Sequence, residues 1–514
     1  MLNSYTSCGH LPPKPAPCKL ANGGPCGPCH ELESFDKKAQ AIFERLTEKR
    51  RSILENINER HDPFIQHLPI ELVSQIFISC LPDRALDQDA CRISLLWDPL
   101  DCRYIQPFNI VLGAISRAWR RIAWSTPGLW SILPIRLHRF DSQAYKDLVL
   151  EWFRRSGHTP LDVAIAYVIN FCIPPKLTEE NVDLWRPLID IANGCSSRWR
   201  TIKINAPQRV LGYITGDGEG TCVPQSLEVL SIPEGWRSVH PFSLTNAKPA
   251  PSQLVSRAIP LRLIDIDWSN LTTVKIASFR VNEWMALLHW SPRLTTCEVC
   301  DLYPGEEKGL PPARPIHHYG IRDLNVSWED KDAAEQFLYL LTLPSLVSLS
   351  YDSAPNSVAD VSNFLERSAC NLETLSFWSD EVGELLALAP HLRGLKRLEY
   401  SGNFHVDALQ DLYDFLPSLR ELSISNGYPS WNHLIDFYLL RALKTLSVGV
   451  NSSCDPRDER LWVDQDSARR LQDLIRNGHN IKITCRFYDE KEDRDFLAWS
   501  VEARMSQVQR QTKS

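Results

Sequence analysis

Residues 419–448 read LRELSISNGYPSWNHLIDFYLLRALKTLSV, and they contain the pattern that decides the fold. The motif apolar-x-x-apolar-x-apolar occurs at both ends, as LRELSI at 419–424 and as LKTLSV at 443–448. Alternating apolar residues are typical of a half-buried strand, whereas Leu434–Leu440 between the motifs has helical spacing. We therefore expect one repeat to consist of a strand followed by a helix.

The same motif recurs upstream at regular intervals. From Leu271 onward, successive motifs begin 23, 27, 25, 26, 23, 24 and 24 residues apart. The motifs begin at Leu161, Trp199, Leu227, Leu271, Leu294, Ile321, Leu346, Leu372, Leu395, Leu419 and Leu443. Because one strand–helix unit cannot bury its own apolar face, such units stack and share a core. The pattern predicts an α/β array over residues 134–488, with parallel strands on a concave face and helices on a convex one.

Two segments depart from the repeat. The interval from Leu227 to Leu271 is too long for one unit, and the proline-rich stretch Pro241 to Pro260 within it predicts an insertion that bulges out. Residues 489–514 are rich in charge, and we expect a C-terminal tail there.

The N-terminal region has a different composition. Residues 1–30 contain six prolines, which predict a disordered leader rich in proline and cysteine. Residues 31–62 predict an amphipathic helix with one apolar stripe. We expect this helix to pack on its own protein rather than form a coiled-coil dimer, because Lys49 and Asn56 interrupt the seam.

Composition excludes several classes of protein. Of 514 residues, 43% are hydrophobic and 23% charged, so the chain is not disordered as a whole. A net charge of -7 argues against a nucleic-acid or anionic-membrane partner. No apolar run reaches the roughly 18 residues of a membrane span, and a signal peptide is not evident. The 15 cysteines are scattered, which indicates reduced thiols and a cytoplasmic or nuclear protein.

Catalytic motifs are weak. Cys26-Gly-Pro-Cys29 resembles a thiol redox pair; the alternative is a zinc site formed by Cys18, Cys26, Cys29 and His30. We favour an unstructured cysteine pair, because no second close cysteine pair follows in the leader. Neither His-Glu-x-x-His nor Gly-x-Ser-x-Gly occurs. We expect no enzyme activity, no cofactor, and no catalytic or metal-binding residues.

Residues 64–133 contain the most specific local match. The stretches LPIELVSQIFISCLP at 68–82 and PFNIVLGAISRAWRRIA at 107–123, followed by TPGLW at 126–130, resemble an F-box. The whole layout resembles fungal F-box-like proteins with an irregular leucine-rich-repeat solenoid, whose period of 20–29 residues includes the intervals found above. The sequence departs from the F-box pattern by an inserted loop at 83–105. Whether this loop permits adaptor binding is not decided by the sequence.

The resemblance implies the substrate-recognition subunit of a Skp–cullin–F-box ubiquitin ligase. In that role the F-box docks the Skp adaptor, and through it a cullin, while the repeats hold a target protein. The residues that match adaptor-binding positions are Leu68, Pro69, Leu72, Ile76, Phe77, Leu81, Ile115 and Trp119. These side chains could equally serve ordinary packing. The alternative function is a leucine-rich-repeat scaffold whose F-box-like unit is only a folding cap.

Overall fold

A computed structural model describes most of the chain. The described ranges are 26–61, 67–81, 108–137, 143–167, 179–220, 224–232, 241–246, 248–257, 259–305, 315–328, 331–352, 358–379, 383–401, 416–427, 431–441, 443–450, 463–485 and 494–511. These residues form two compact units. The first unit ends at Leu129, and the second begins at Trp130. The expected loop at 83–105 lies outside the described residues.

The first unit is helical. Its helices are α1 (Gly27–His61), α2 (Ile70–Ser79), α3 (Phe108–Ile115) and α4 (Arg117–Ser125). Helix α2 starts directly after Pro69, a residue whose ring fixes a backbone angle suited to a helix start. Helix α4 starts where the Ser116 hydroxyl accepts a hydrogen bond from the Trp119 backbone N–H at 3.1 Å. The core of the unit consists of Val73, Phe77, Leu112, Ile122, Ala123 and Leu129.

Helix α1 differs from expectation in two respects. It begins at Gly27, so the last residues of the expected leader are helical, while residues 1–25 lie outside the described part. Its large apolar side chains are 41–67% exposed, so the expected packing of this stripe on its own protein is wrong. The affected residues are Leu32, Phe35, Ile42, Phe43, Leu46, Ile53, Leu54 and Ile57. The other helices of the unit bury only part of their apolar residues, among them Val73, Leu112 and Ile122.

The second unit is an α/β array, which confirms the predicted class. Its main sheet contains 15 strands that follow one another in chain order, and each neighbouring pair is parallel except the last. The strands of this sheet are β1 (Ile132–Leu137), β2 (Leu161–Tyr167), β3 (Trp199–Pro207), β4 (Ser226–Ile232), β5 (Gln253–Arg257), β6 (Thr273–Ala277), β7 (Thr296–Leu302), β9 (Asp323–Trp328), β11 (Ser348–Asp352), β12 (Thr374–Trp378), β13 (Arg397–Ser401), β14 (Glu421–Gly427), β15 (Thr445–Val450), β16 (Asn480–Cys485) and β17 (Arg494–Asp495). Two short strands, β8 (Ile316–His317) and β10 (Leu341–Thr342), pair separately.

Helices lie between many of these strands. They are α5 (Gln143–Arg155), α6 (Glu179–Asn193), α7 (Gln208–Leu211), α8 (Val281–Trp290), α9 (Lys331–Leu340), α10 (Val358–Ser368), α11 (Gly383–Leu388), α12 (Trp431–Arg441), α13 (Gln465–Arg476) and α14 (Phe496–Gln511). Parallel neighbours require a crossover, and right-handed crossovers place successive helices on one face of the sheet. None of the helices in the described ranges is long and apolar enough to cross a membrane.

From Leu271 onward, the repeat motifs place their apolar positions in the core. Leu419 precedes β14, and Leu422 and Ile424 within the strand are almost fully buried. The strand register aligns Leu398, Leu422 and Leu446 directly across three neighbouring strands. Aromatic side chains continue the same face, with ring centroids of Tyr351 and Phe377 5.4 Å apart, and those of Phe377 and Tyr400 5.3 Å apart. The repeat spacing therefore marks the side of the sheet that forms the core.

Two expectations about the array are wrong. Residues 253–257, inside the supposed insertion, form β5, which pairs with β4 and with β6, and Leu254 is buried. Sequence inspection missed this strand because Pro251 stands where the motif has its first apolar residue. The supposed charged tail forms β17 and α14, and Phe496 is buried against Trp431 at a ring distance of 6.3 Å. The antiparallel strand β17 covers the open edge of β16.

Adjacent residues of β12 provide a test of which face is buried. Phe377→Ala should lower the free energy of unfolding by about 3–5 kcal/mol, because it leaves a cavity in the core. Trp378→Ala should cost less than about 1 kcal/mol, because that ring is exposed. Urea denaturation followed by circular dichroism measures both effects. Equal losses for the two variants would contradict the described strand register.

Candidate protein-docking surfaces

Helix α2 has a buried side and an exposed flank. Val73 and Phe77 point into the core, and the Phe77 ring lies 4.8 Å from the ring of Trp119 on α4. Leu72 and Ile76 are one helical turn apart on the flank, and their exposed fractions are 51% and 37%. The packing of Phe77 against Trp119 therefore fixes α2 with this apolar flank in solvent.

Helices α3 and α4 are joined by a close approach at Gly113. A Cβ atom on Gly113 would lie 2.7 Å from the Trp124 ring, so only glycine fits there. The Arg120 guanidinium lies over the same ring at 5.2 Å, and its Nε donates a hydrogen bond to the Gly113 carbonyl at 2.7 Å. With this side of α3 occupied, Val111 and Ile115 remain exposed, at 38% and 49%.

The segment after α4 holds α2 in place. The Thr126 hydroxyl lies 2.7 Å from the Ile122 carbonyl and 3.0 Å from the Ser74 hydroxyl on α2. Next to it, a Cβ atom on Gly128 would lie 2.9 Å from the end of the Ile78 side chain. These contacts connect α2 to the end of α4, and thus order the exposed flank without using its apolar side chains.

The eight predicted adaptor-binding residues fall into three groups. Phe77 is 2% exposed and belongs to the core, so its assignment to direct adaptor contact is wrong, because its ring already packs inside the unit. Half-buried members are Leu68, Leu81 and Trp119. Exposed members are Pro69, Leu72, Ile76 and Ile115.

The predicted site leaves out two large exposed apolar residues of α2 and α3. They are Ile70, at the start of α2, and Val111, four residues before Ile115 on α3. Helical spacing from Ile115 would have identified Val111. We call Leu72, Ile76, Val111 and Ile115 the apolar flanks of the first unit.

The face of the sheet opposite the buried motif residues is polar. One register row runs across the strands and is continuous from β3 to β16: Lys203, Glu228, Val255, Lys275, Glu298, Asn325, Ser350, Ser376, Glu399, Ser423, Ser447 and Lys482. Its first half contains cross-strand ion pairs, Lys203–Glu228 at 3.2 Å and Lys275–Glu298 at 2.9 Å. Their opposite charges compensate each other within the row.

The second half of this row is dominated by small hydroxyl side chains. Beside it the Trp378 ring is 40% exposed at the end of β12. Tryptophan is among the residues that contribute most to protein–protein binding energy, while short serine side chains let a partner approach the sheet closely. This arrangement suits a protein-binding surface centred on Trp378.

Cys297, in strand β7, is a buried thiol. Burial raises the pKa of the Cys297 thiol well above its usual range, and the nearby Asp323 carboxylate adds to the effect. A thiol with a raised pKa is a poor nucleophile. Within the described ranges, no group of His, Cys, Asp and Glu side chains is placed to hold a metal ion. Cys26 precedes α1 directly and Cys29 lies in its first turn, so this pair is at a helix start rather than in an unstructured leader.

No family model matches the chain, and no curated protein matches it.

The close packing at Gly113 can be tested directly. Gly113→Ala should destabilise the helical unit by about 1–3 kcal/mol, because the added methyl overlaps the Trp124 ring. Trypsin cleavage within α4 should then become about tenfold faster, since local opening becomes easier. Gly27→Ala is the matched control, because a Cβ atom there meets nothing within 4 Å. Unchanged cleavage in Gly113→Ala would refute the described contact.

Proposed function

We propose that this protein is the substrate receptor of a Skp–cullin–F-box ubiquitin ligase. The observation that carries the proposal is the set of apolar flanks on the first unit, where four large side chains lie outside a core that is already complete. Large apolar side chains left exposed in pairs on the helices of a small unit are candidates for a protein interaction site. The F-box resemblance of residues 68–82 and 107–123 supports a Skp-type adaptor as the partner.

Burial of the four flank residues supplies only part of the binding energy, about 4 kcal/mol in total, so further contacts are needed for a stable complex. Full burial of a Leu, Ile or Val side chain contributes roughly 1.5–3 kcal/mol, and these residues are already partly buried, so about 1 kcal/mol remains for each. The half-buried side chains of Leu68, Leu81 and Trp119 border this surface in sequence and extend the contact. Phe77 then acts indirectly, by fixing α2.

The second unit would hold the target. We assign the array to irregular leucine-rich repeats, on the basis of intervals of 23–27 residues and one parallel strand per repeat. In this assignment the open polar face of the sheet is concave and the helices lie on the convex side. Trp378 would anchor the target protein on the open face. Ubiquitin transfer would be accelerated by proximity to a ubiquitin-loaded enzyme, without a catalytic residue or cofactor from this chain. Such a complex would work in the cytoplasm or nucleus.

Substitutions on α2 test adaptor docking. Leu72→Ala combined with Ile76→Ala should weaken binding to a purified Skp-type adaptor about thirtyfold, because about 2 kcal/mol of apolar contact is lost. Isothermal titration calorimetry with the full chain measures this change.

The matched control is Trp378→Ala, which also removes an exposed apolar side chain but lies in the other unit. It should leave adaptor affinity unchanged. If the α2 double variant binds as tightly as the unaltered chain while remaining helical, the adaptor proposal fails.

A further inference from the structure

Helix α1 has an exposed apolar seam with a defined period. Its seam positions alternate in steps of three and four residues, which is the heptad spacing of two-stranded coiled coils. Position a is occupied by Leu32, Ala39, Leu46 and Ile53, and position d by Phe35, Ile42, Lys49 and Asn56. The large apolar residues among them are 47–67% exposed, so the seam is open to a partner.

Polar side chains on the outer side of α1 pair with one another within the helix. Three side-chain pairs lie at the outward positions b, c and f: Lys37–Glu33 at 2.8 Å, Gln40–Glu44 at 2.9 Å and Arg51–Glu48 at 2.6 Å. Such pairs stabilise a helix from its outer surface. The helix is therefore organised with a self-paired outer side and an apolar side that requires cover, because a 35-residue helix gains most of its stability from packing.

We propose that α1 pairs with α1 of a second copy of this chain as an antiparallel coiled coil. One register matches every seam position. It places Leu46 opposite the partner subunit's Ile42, and Ile53 opposite the partner subunit's Phe35. Lys49 then faces the partner subunit's Ala39, whose small side chain leaves room for the lysine stem to reach solvent. The interface is self-complementary, as a two-fold dimer requires.

Charges beside the seam favour this direction. In the antiparallel register, Asp36 at position e lies next to the partner subunit's Arg50, and this attraction occurs twice. Neither Asp36 nor Arg50 forms an ion pair within the described part of the chain. The antiparallel register has one unfavourable charge contact, in which Arg45 lies next to the partner subunit's Arg45.

A parallel dimer would be less favourable. It would place Lys49 against its own copy inside the seam. It would also bring Arg45 next to the partner subunit's Arg50 twice, and Glu31 next to the partner subunit's Asp36 twice. Like charges at these positions oppose pairing. The interruption by Lys49 thus selects a direction rather than preventing a dimer.

Light scattering coupled to size-exclusion chromatography tests the dimer on the full chain. The expected mass at micromolar concentration is twice the 58.7 kDa of one chain. Ile42→Asp combined with Leu46→Asp should give the mass of one chain. The matched control, Ala41→Asp with Thr47→Asp, places the same charges on the outer side and should stay dimeric. A monomeric unaltered chain, or a dimeric seam variant, would overturn the proposal.

Charge exchange tests the direction. Asp36→Arg should raise the Kd of the dimer about fivefold, because two exposed ion pairs are replaced by repulsions. Adding Arg50→Asp should restore the original Kd, as sedimentation equilibrium at low salt would show. In a parallel dimer Asp36→Arg would instead lower the Kd, because it would relieve the repulsion from Glu31. That outcome would overturn the antiparallel arrangement.

Discussion

The structure depends on one constraint: an apolar face must be covered by something, and a single small unit rarely has enough surface to cover itself. In the array, each strand–helix unit hides its motif residues against the next unit, so Leu398, Leu422 and Leu446 share one core. The terminal strand β17 and helix α14 close the last unit by burying Phe496. In the described part of the array, the motif residues from Leu271 onward are thereby covered within the chain.

The first unit meets the same constraint differently. Its core is closed by Phe77 on Trp119 and by Trp124 over Gly113, yet the apolar flanks and the seam of α1 remain exposed. These two surfaces differ in chemistry. The flanks are short apolar stripes on small helices, which suit a different protein, whereas the seam is a long heptad pattern with complementary charges, which suits a copy of itself. A dimeric receptor with two adaptor sites follows from combining the two proposals.

The sequence predicts the array well because its signal is local and repeated. An apolar residue three positions before another, followed by alternation, marks a buried strand in the repeats from Leu271 onward, as at Leu372 and Leu375. The motif does not identify β5, because Pro251 replaces the leading apolar residue and only pairing with β4 and β6 defines the strand. It failed again beyond 488, where composition suggested a tail but Phe496 finds a tertiary partner in Trp431.

The candidate site was harder to predict. Helical periodicity identifies an apolar stripe on a helix, but it does not show which residues of that stripe are buried and which are exposed to solvent. Phe77 and Ile76 are adjacent in sequence, and only packing against Trp119 decides that the first is core and the second surface.

Amide hydrogen exchange of the full chain, alone and with excess purified Skp-type adaptor, tests the central claim most directly. The account predicts slower exchange in α2 and α3 on adaptor binding, with the strands of the array unchanged. Unaltered exchange in α2 and α3, or protection confined to the sheet, would contradict it.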